Sequence, residues 1–139
     1  MKLFLDTEFN GFGGELLSMA LVDEDGSFFY GRVPNIRPIH PWVEEHVMPK
    51  MGIEPVDRMT FRADLHRFLR KYQNPEIIAD WHADFVHFFD AFHGADYSQS
   101  LDLSCTARLL SGPSDIRPEN PHNALSDAIA LRAYVMGRS

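Results

Sequence analysis

Near the amino end an apolar run, Leu3-Phe4-Leu5, leads straight into Asp6-Thr7-Glu8, two carboxylates with one residue between them. Acidic residues are poor strand formers, and a buried core has no use for unpaired charge. A chain that mounts two acids on its first strand must therefore supply something to hold them. Side chains alternate across a strand, so residues two apart project from one face, and Asp6 and Glu8 point the same way at the strand's end. Like charges at that spacing raise one another's pKa unless a cation lies between them. Carboxylate oxygen is the donor that Mg²⁺ or Mn²⁺ prefers. Taken alone, the D-x-E pair reads equally well as an exposed strand end at a turn.

The frame around this pair is that of one globular domain spanning residues 1–139, with 45% hydrophobic and 24% charged residues. No apolar run approaches the roughly 18 residues of a membrane span. The start Met1-Lys2 followed by Asp6 and Glu8 does not read as a secretory signal. The lone Cys105 removes any disulfide framework within the chain and fits a reducing cytoplasm. A net charge of -7 argues against tight non-specific grip on duplex DNA. It leaves open an enzyme that holds a few terminal nucleotides, because carboxylates gathered around divalent metals are neutralised in the working state.

Along the chain, the sequence predicts strands over Lys2–Asp6, Glu15–Val22 and Ser27–Val33, joined by the turns "NGFGG" and "DEDG". A short helix is expected from Pro41 to Pro49 and a longer one over Thr60–Tyr72, capped by Thr60. Glu76–Trp81 reads as a fourth strand and Asp84–Phe92 as a phenylalanine-rich helix. Gln99–Leu103 reads as a fifth strand running into a helix around Thr106–Leu110, and His122–Met136 as the last helix. The order β-β-β-α-α-β-α-β-α-α implies an α/β mixed sheet flanked by helices.

Two further signals bear on chemistry. In "PHNALSDAIALRAYV", His122 stands at a helix start with Asp127 in its second turn, and the small Ala124 leaves room for close approach. The bland alternative is an ordinary helix start with an acid near the favourable end of the dipole. A further acid comes from Asp80, Asp84, Asp90 or Asp102; Asp84 at a helix start and Asp80 at a strand end are the main rivals. His82, His87 and His93 match no closed zinc site. His46 and His66 read as surface or half-buried, Glu44-Glu45 as a solvated face, His40 as loop, Phe12 as turn filler and Trp81 as core.

Asp6-Thr7-Glu8, a mid-chain acid after a strand, and His122-x-Ala124-x-x-Asp127, in that order, resemble the DEDDh pattern of the DnaQ-like 3′–5′ exonuclease superfamily. "FLDTEF" together with "WVEEHVMPKM" is similar to the small RNase AS-type exoribonuclease branch, and that alignment favours Asp84 as the central acid. The resemblance implies a ribonuclease H-like fold with two divalent ions, Mg²⁺ or Mn²⁺, held by Asp6, Glu8, Asp84 and Asp127. His122 and Glu8 would be the catalytic residues, with His122 as general base. Thr7, Phe9 and Asn10 would contact the 3′ end of single-stranded RNA. It also implies a homodimer, for which Phe85, Phe88, Phe89 and Phe92 supply either a face or more core. D-x-E and H-x-A-x-x-D do not distinguish the sugars, so a proofreading-type DNA exonuclease is the second reading. An inactive nucleic-acid-binding module is the third.

Overall fold

The computed structural model describes residues 1–93, 100–112 and 115–137. β1 (Lys2–Phe9) is the central strand of a five-stranded mixed sheet ordered β3-β2-β1-β4-β5. On one side it pairs antiparallel with β2 (Leu16–Asp23), which pairs antiparallel with β3 (Phe28–Arg32). On the other side β4 (Glu76–Ala79) runs parallel to β1, and β5 (Thr106–Leu109) parallel to β4. The acids are thus held inside β1 rather than at its end, and the ladder with β2 shifts register only between Glu8 and Phe9.

The alternation of β1 divides the core into two layers. Leu3 and Leu5 face α2 (Arg58–Leu69) and α3 (His82–His93), in a cluster with Phe61, Leu65, Phe68, Phe88 and Phe92. Phe4 faces the other way and packs with Ile78 against Leu131 of α4 (Ala124–Met136). Beside it Ala20 and Val22 of β2 meet Ala124 and Ala128, all at most 1% exposed. Alanine on both surfaces brings α4 close to the sheet. Arg132 ties the helix down further on, its Nε donating to the Asp23 and Glu24 carbonyls at 3.0 Å. Between β3 and α2 lie the short α1 (Pro41–His46) and a 3-10 turn over Met48–Lys50.

Several expectations are corrected. Thr106–Leu109 is strand, not helix, because its backbone pairs with β4; Leu101–Leu103 is irregular, and Gln99 lies outside the described residues. α2 starts a turn's fraction earlier than expected. Asp57 caps it by accepting from Thr60 N at 2.8 Å, while the Thr60 hydroxyl only donates back to Asp57 at 3.0 Å. Trp81 is 48% exposed rather than core, whereas His66 is buried, its Nε2 lying 3.2 Å from the Phe92 carbonyl oxygen. Phe88 and Phe92 are buried in the core, while Phe85 and Phe89 are half-buried and packed against them. Phe12, at 92% exposed, fills no packing space in its turn. No helix among the described residues is long and apolar enough to cross a membrane.

With Asp57 as the α2 cap, Asp57→Ala should lower the urea midpoint more than Thr60→Val does. Urea melts of the two variants check this, and a larger loss for Thr60→Val would reverse the assignment.

Candidate metal centre

Five carboxylates converge where β1, β4, α3 and α4 meet. Asp6 and Glu8 follow Phe4 at intervals of two and so face α4. β4 pairs with β1 in parallel, Phe4 opposite Ile78. Two residues further on, the same alternation sets Asp80 beside Asp6 on that face. Asp84 arrives from the other layer: β4 stops at Ala79, and the first turn of α3 closes over its end. There the buried Thr7 hydroxyl, on the opposite face of β1 from its two acidic neighbours, donates to Asp84 Oδ1 at 2.6 Å. Asp127 comes from the first turn of α4.

The outcome is two acidic groups that share one member. Oxygens of Asp6, Asp80 and Asp84 lie within 4.8 Å of one another, and so do oxygens of Asp6, Glu8 and Asp127. Asp80 and Asp84, expected as rivals, are both present; Asp90 and Asp102 are exposed and belong to neither group. Asp6 Oδ2 and Asp84 Oδ2 are buried with no hydrogen-bond partner among the described residues. Buried carboxylate oxygens are almost always partnered, so these two are aimed at something that protein atoms do not provide. All-oxygen donors suit a hard divalent cation, and the residues present fit such an ion.

The electrostatics agree. Burial, followed by the like charges of Asp84, Asp127, Glu8 and Asp80, holds the Asp6 carboxyl well above its usual range. Burial and then the neighbouring Asp127 push Glu8 up to about 8. Burial raises Asp84 to about 7 against the opposing Thr7 hydrogen bond, and Asp127 to about 6. Asp80 is also raised, by burial. Two unit charges 4 Å apart repel by about 4 kcal/mol at an effective dielectric constant near 20. In the metal-free chain the group therefore retains protons at neutral pH.

The backbone of His122 hydrogen-bonds to Asp127 and lies in the left-handed region, with φ 68°. Its ring meets Trp42 edge to face at a centroid distance of 5.2 Å. Burial, then Lys50 and His46, lower its pKa. The segment "WVEEHVMPK" thus forms the wall beside His122. Asn123, which carries no obvious chemical signal beyond being an N-cap type, joins this wall to the helix. Its Oδ1 accepts from Ser126 N at 2.9 Å, and its Nδ2 donates to the Lys50 carbonyl at 2.7 Å and to Tyr30 Oη at 3.2 Å.

The remaining expected site residues divide by role. Thr7 is buried behind the acids and positions Asp84. Asn10 accepts from His40 N at 2.8 Å and donates to the Pro38 carbonyl at 3.0 Å, so its side chain shapes the corner. Phe9 stacks on His87 at 5.1 Å on the rim of the cluster. No family model matches the chain, and a search of curated proteins finds no match either.

Raised carboxyl pKa values make the folded chain bind more protons than the unfolded one above about pH 4.3, the ordinary range of Glu. The stability they contribute is complete below that pH and is lost as pH rises through the values of about 6, 7 and 8 of Asp127, Asp84 and Glu8. In EDTA, Tm should fall between about pH 5 and about pH 8, and Asp6→Asn should raise Tm at the upper end by roughly 5–10 °C. Scanning calorimetry across that range checks this, and a Tm that climbs with pH would contradict it.

Proposed function

We propose that the chain is a metal-dependent 3′–5′ exoribonuclease of the DnaQ-like type on a ribonuclease H-like sheet. It acts on the 3′ end of single-stranded RNA and releases nucleoside 5′-monophosphates. The observation that carries this reading is the pair of acidic groups sharing Asp6, with the backbone of His122 against Asp127. Asp6, Glu8, Asp84 and Asp127, with Asp80 added, would hold two divalent cations, Mg²⁺ or Mn²⁺. Bound there, such ions supply Lewis-acid activation of the attacking water and stabilise charge on the leaving 3′ oxygen.

The chain's own residues do the rest. His122 takes the water's proton as its oxygen attacks phosphorus and the bond from phosphorus to the 3′ oxygen breaks. Trp42 and Asn123 hold His122 in place: the Trp42 ring packs on the imidazole, and Asn123 fixes the helix start that follows it. Thr7 fixes the direction of Asp84. The preference for RNA over DNA is supported by "FLDTEF" and "WVEEHVMPKM", the segments that carry the exoribonuclease resemblance, since the second of them walls His122. A homodimer working in the cytoplasm belongs to the same proposal.

The test is incubation with 5′-labelled single-stranded RNA and DNA of matched sequence, in Mn²⁺ or Mg²⁺ and then in EDTA. A metal-dependent ladder shortening from the 3′ end of RNA is the expected result. Shortening of DNA alone would replace this reading with a proofreading-type exonuclease, and an absence of cleavage would leave a binding module. Asp127→Ala should cut turnover more than about a hundredfold, beyond what outer-shell substitutions usually cost. His122→Ala should cost about 10²–10⁴. Both variants should retain their circular dichroism spectra.

A further inference from the structure

Cationic charge on this acidic chain is concentrated in one place. Five of its 13 lysines and arginines fall between Arg58 and Lys71, along and just beyond α2. Arg58, Arg62, His66 and Arg70 recur every four residues, a spacing that lines one helix face. Beside the first of them lies a cleft of about 700 Å³ between α2, α3 and the chain that follows β3, lined by Arg37, Arg58 and Arg62. A smaller hollow of about 410 Å³ continues along α2, shares Arg62 and reaches Arg67 and Arg70. The opposing acids in these hollows are Glu15 and Asp90. Of these, Glu15 is engaged, accepting from the backbone N–H of Arg37 at 2.9 Å. Arg67 is paired with Asp64 at 3.0 Å, while Arg37, Arg58 and Arg62 line the cleft and Arg70 the hollow beyond it.

The cleft begins where the acidic cluster ends. α3 supplies Asp84 to the cluster, and one turn later, about 4.5 Å along the axis, His87 lines the cleft. The Phe9 ring, next to Glu8, stacks on that same His87. The Gly13-Gly14 turn forms part of the same wall. Val86, 56% exposed, offers apolar surface along the way. A polyanion whose terminal phosphate lies at Asp6 would leave the cluster past Phe9 and His87 and meet the arginines in turn.

The geometry points to the cleft between α2 and α3 as the track for the upstream nucleotides of a single-stranded RNA, with Arg37, Arg58 and Arg62 on its phosphates and Arg70 extending it. The track rests on the exoribonuclease reading for its direction, toward the 3′ end at the acids. It explains how a chain of net charge -7 holds RNA: the acids face the reacting phosphate, and a separate cationic strip grips the strand behind it.

The test is fluorescence anisotropy of 5′-labelled RNA trimer and dodecamer in EDTA, over a range of salt, with intact protein and with Arg58→Gln/Arg62→Gln. The intact chain should bind the dodecamer at least about tenfold more tightly than the trimer at low salt. The double variant should lose that advantage and lower the salt slope by about 1.4, the single-strand value for two phosphate contacts. Arg70→Gln, past the end of α2, is the second variant and should weaken the dodecamer more than the trimer. A length advantage and slope unchanged in both variants would overturn the track. Competition by poly-glutamate as effective as that by RNA would also overturn it, in favour of an acidic polypeptide. A parallel cleavage assay separates the two ideas. Unchanged binding with RNA hydrolysis would sink the track alone; length-dependent binding lost in the variants, with no hydrolysis by the intact protein, would sink the nuclease reading alone.

Discussion

Mutual repulsion among buried carboxylates is the constraint on which this architecture turns. Asp6 lies on the central strand of the sheet, within reach of four other acids, two in each of the groups it joins. Each brings a desolvation cost as well as a like charge, and both effects raise the carboxyl pKa values. A fold gains nothing in stability from such an arrangement. That it survives in the middle of a well-packed sheet means that the rest of the core offsets it.

The packing around the cluster follows from that requirement. Leu3, Phe4 and Leu5 are fully buried and anchor β1 between two helical layers, which makes the mount rigid. Ala20, Ala124 and Ala128 let α4 approach β2 closely enough for Asp127 to join the group formed by Asp6 and Glu8. β4 stops early enough for Asp84 to come round its end from the opposite layer, where Thr7 holds it. Asn123 joins the start of α4 to β3 and to the turn after α1, which ties the wall beside His122 to the helix that carries Asp127.

Much of this was legible in the sequence where periodicity was strong. The three opening strands, the amphipathic α2, the phenylalanine-rich α3 and the last helix all follow from apolar spacing and turn residues. Thr106–Leu109 was not, because Ala, Arg and Leu favour helix and all four residues are exposed, leaving no alternation to read. Its strand geometry comes from β4, a tertiary partner. Asp57 and Thr60 are both good N-caps, and only the backbone decides between them. The acids of β1 and α4 were visible as motifs. The presence of both Asp80 and Asp84 was not, since it depends on where β4 ends and α3 begins. The arginines of α2 were in plain view at helical spacing, but their neighbour, the cleft against α3, exists only in three dimensions.

The central claim is that these five carboxylates form a seat for two divalent cations that share Asp6. Its most direct test is calorimetric titration of the metal-free chain with Mn²⁺ near neutral pH, repeated in two buffers of different ionisation enthalpy. The account predicts two ions per chain and a net release of protons, since Glu8 and Asp84, raised to about 8 and about 7, must give up protons to bind them. Absence of binding, or binding with no proton release, would contradict it.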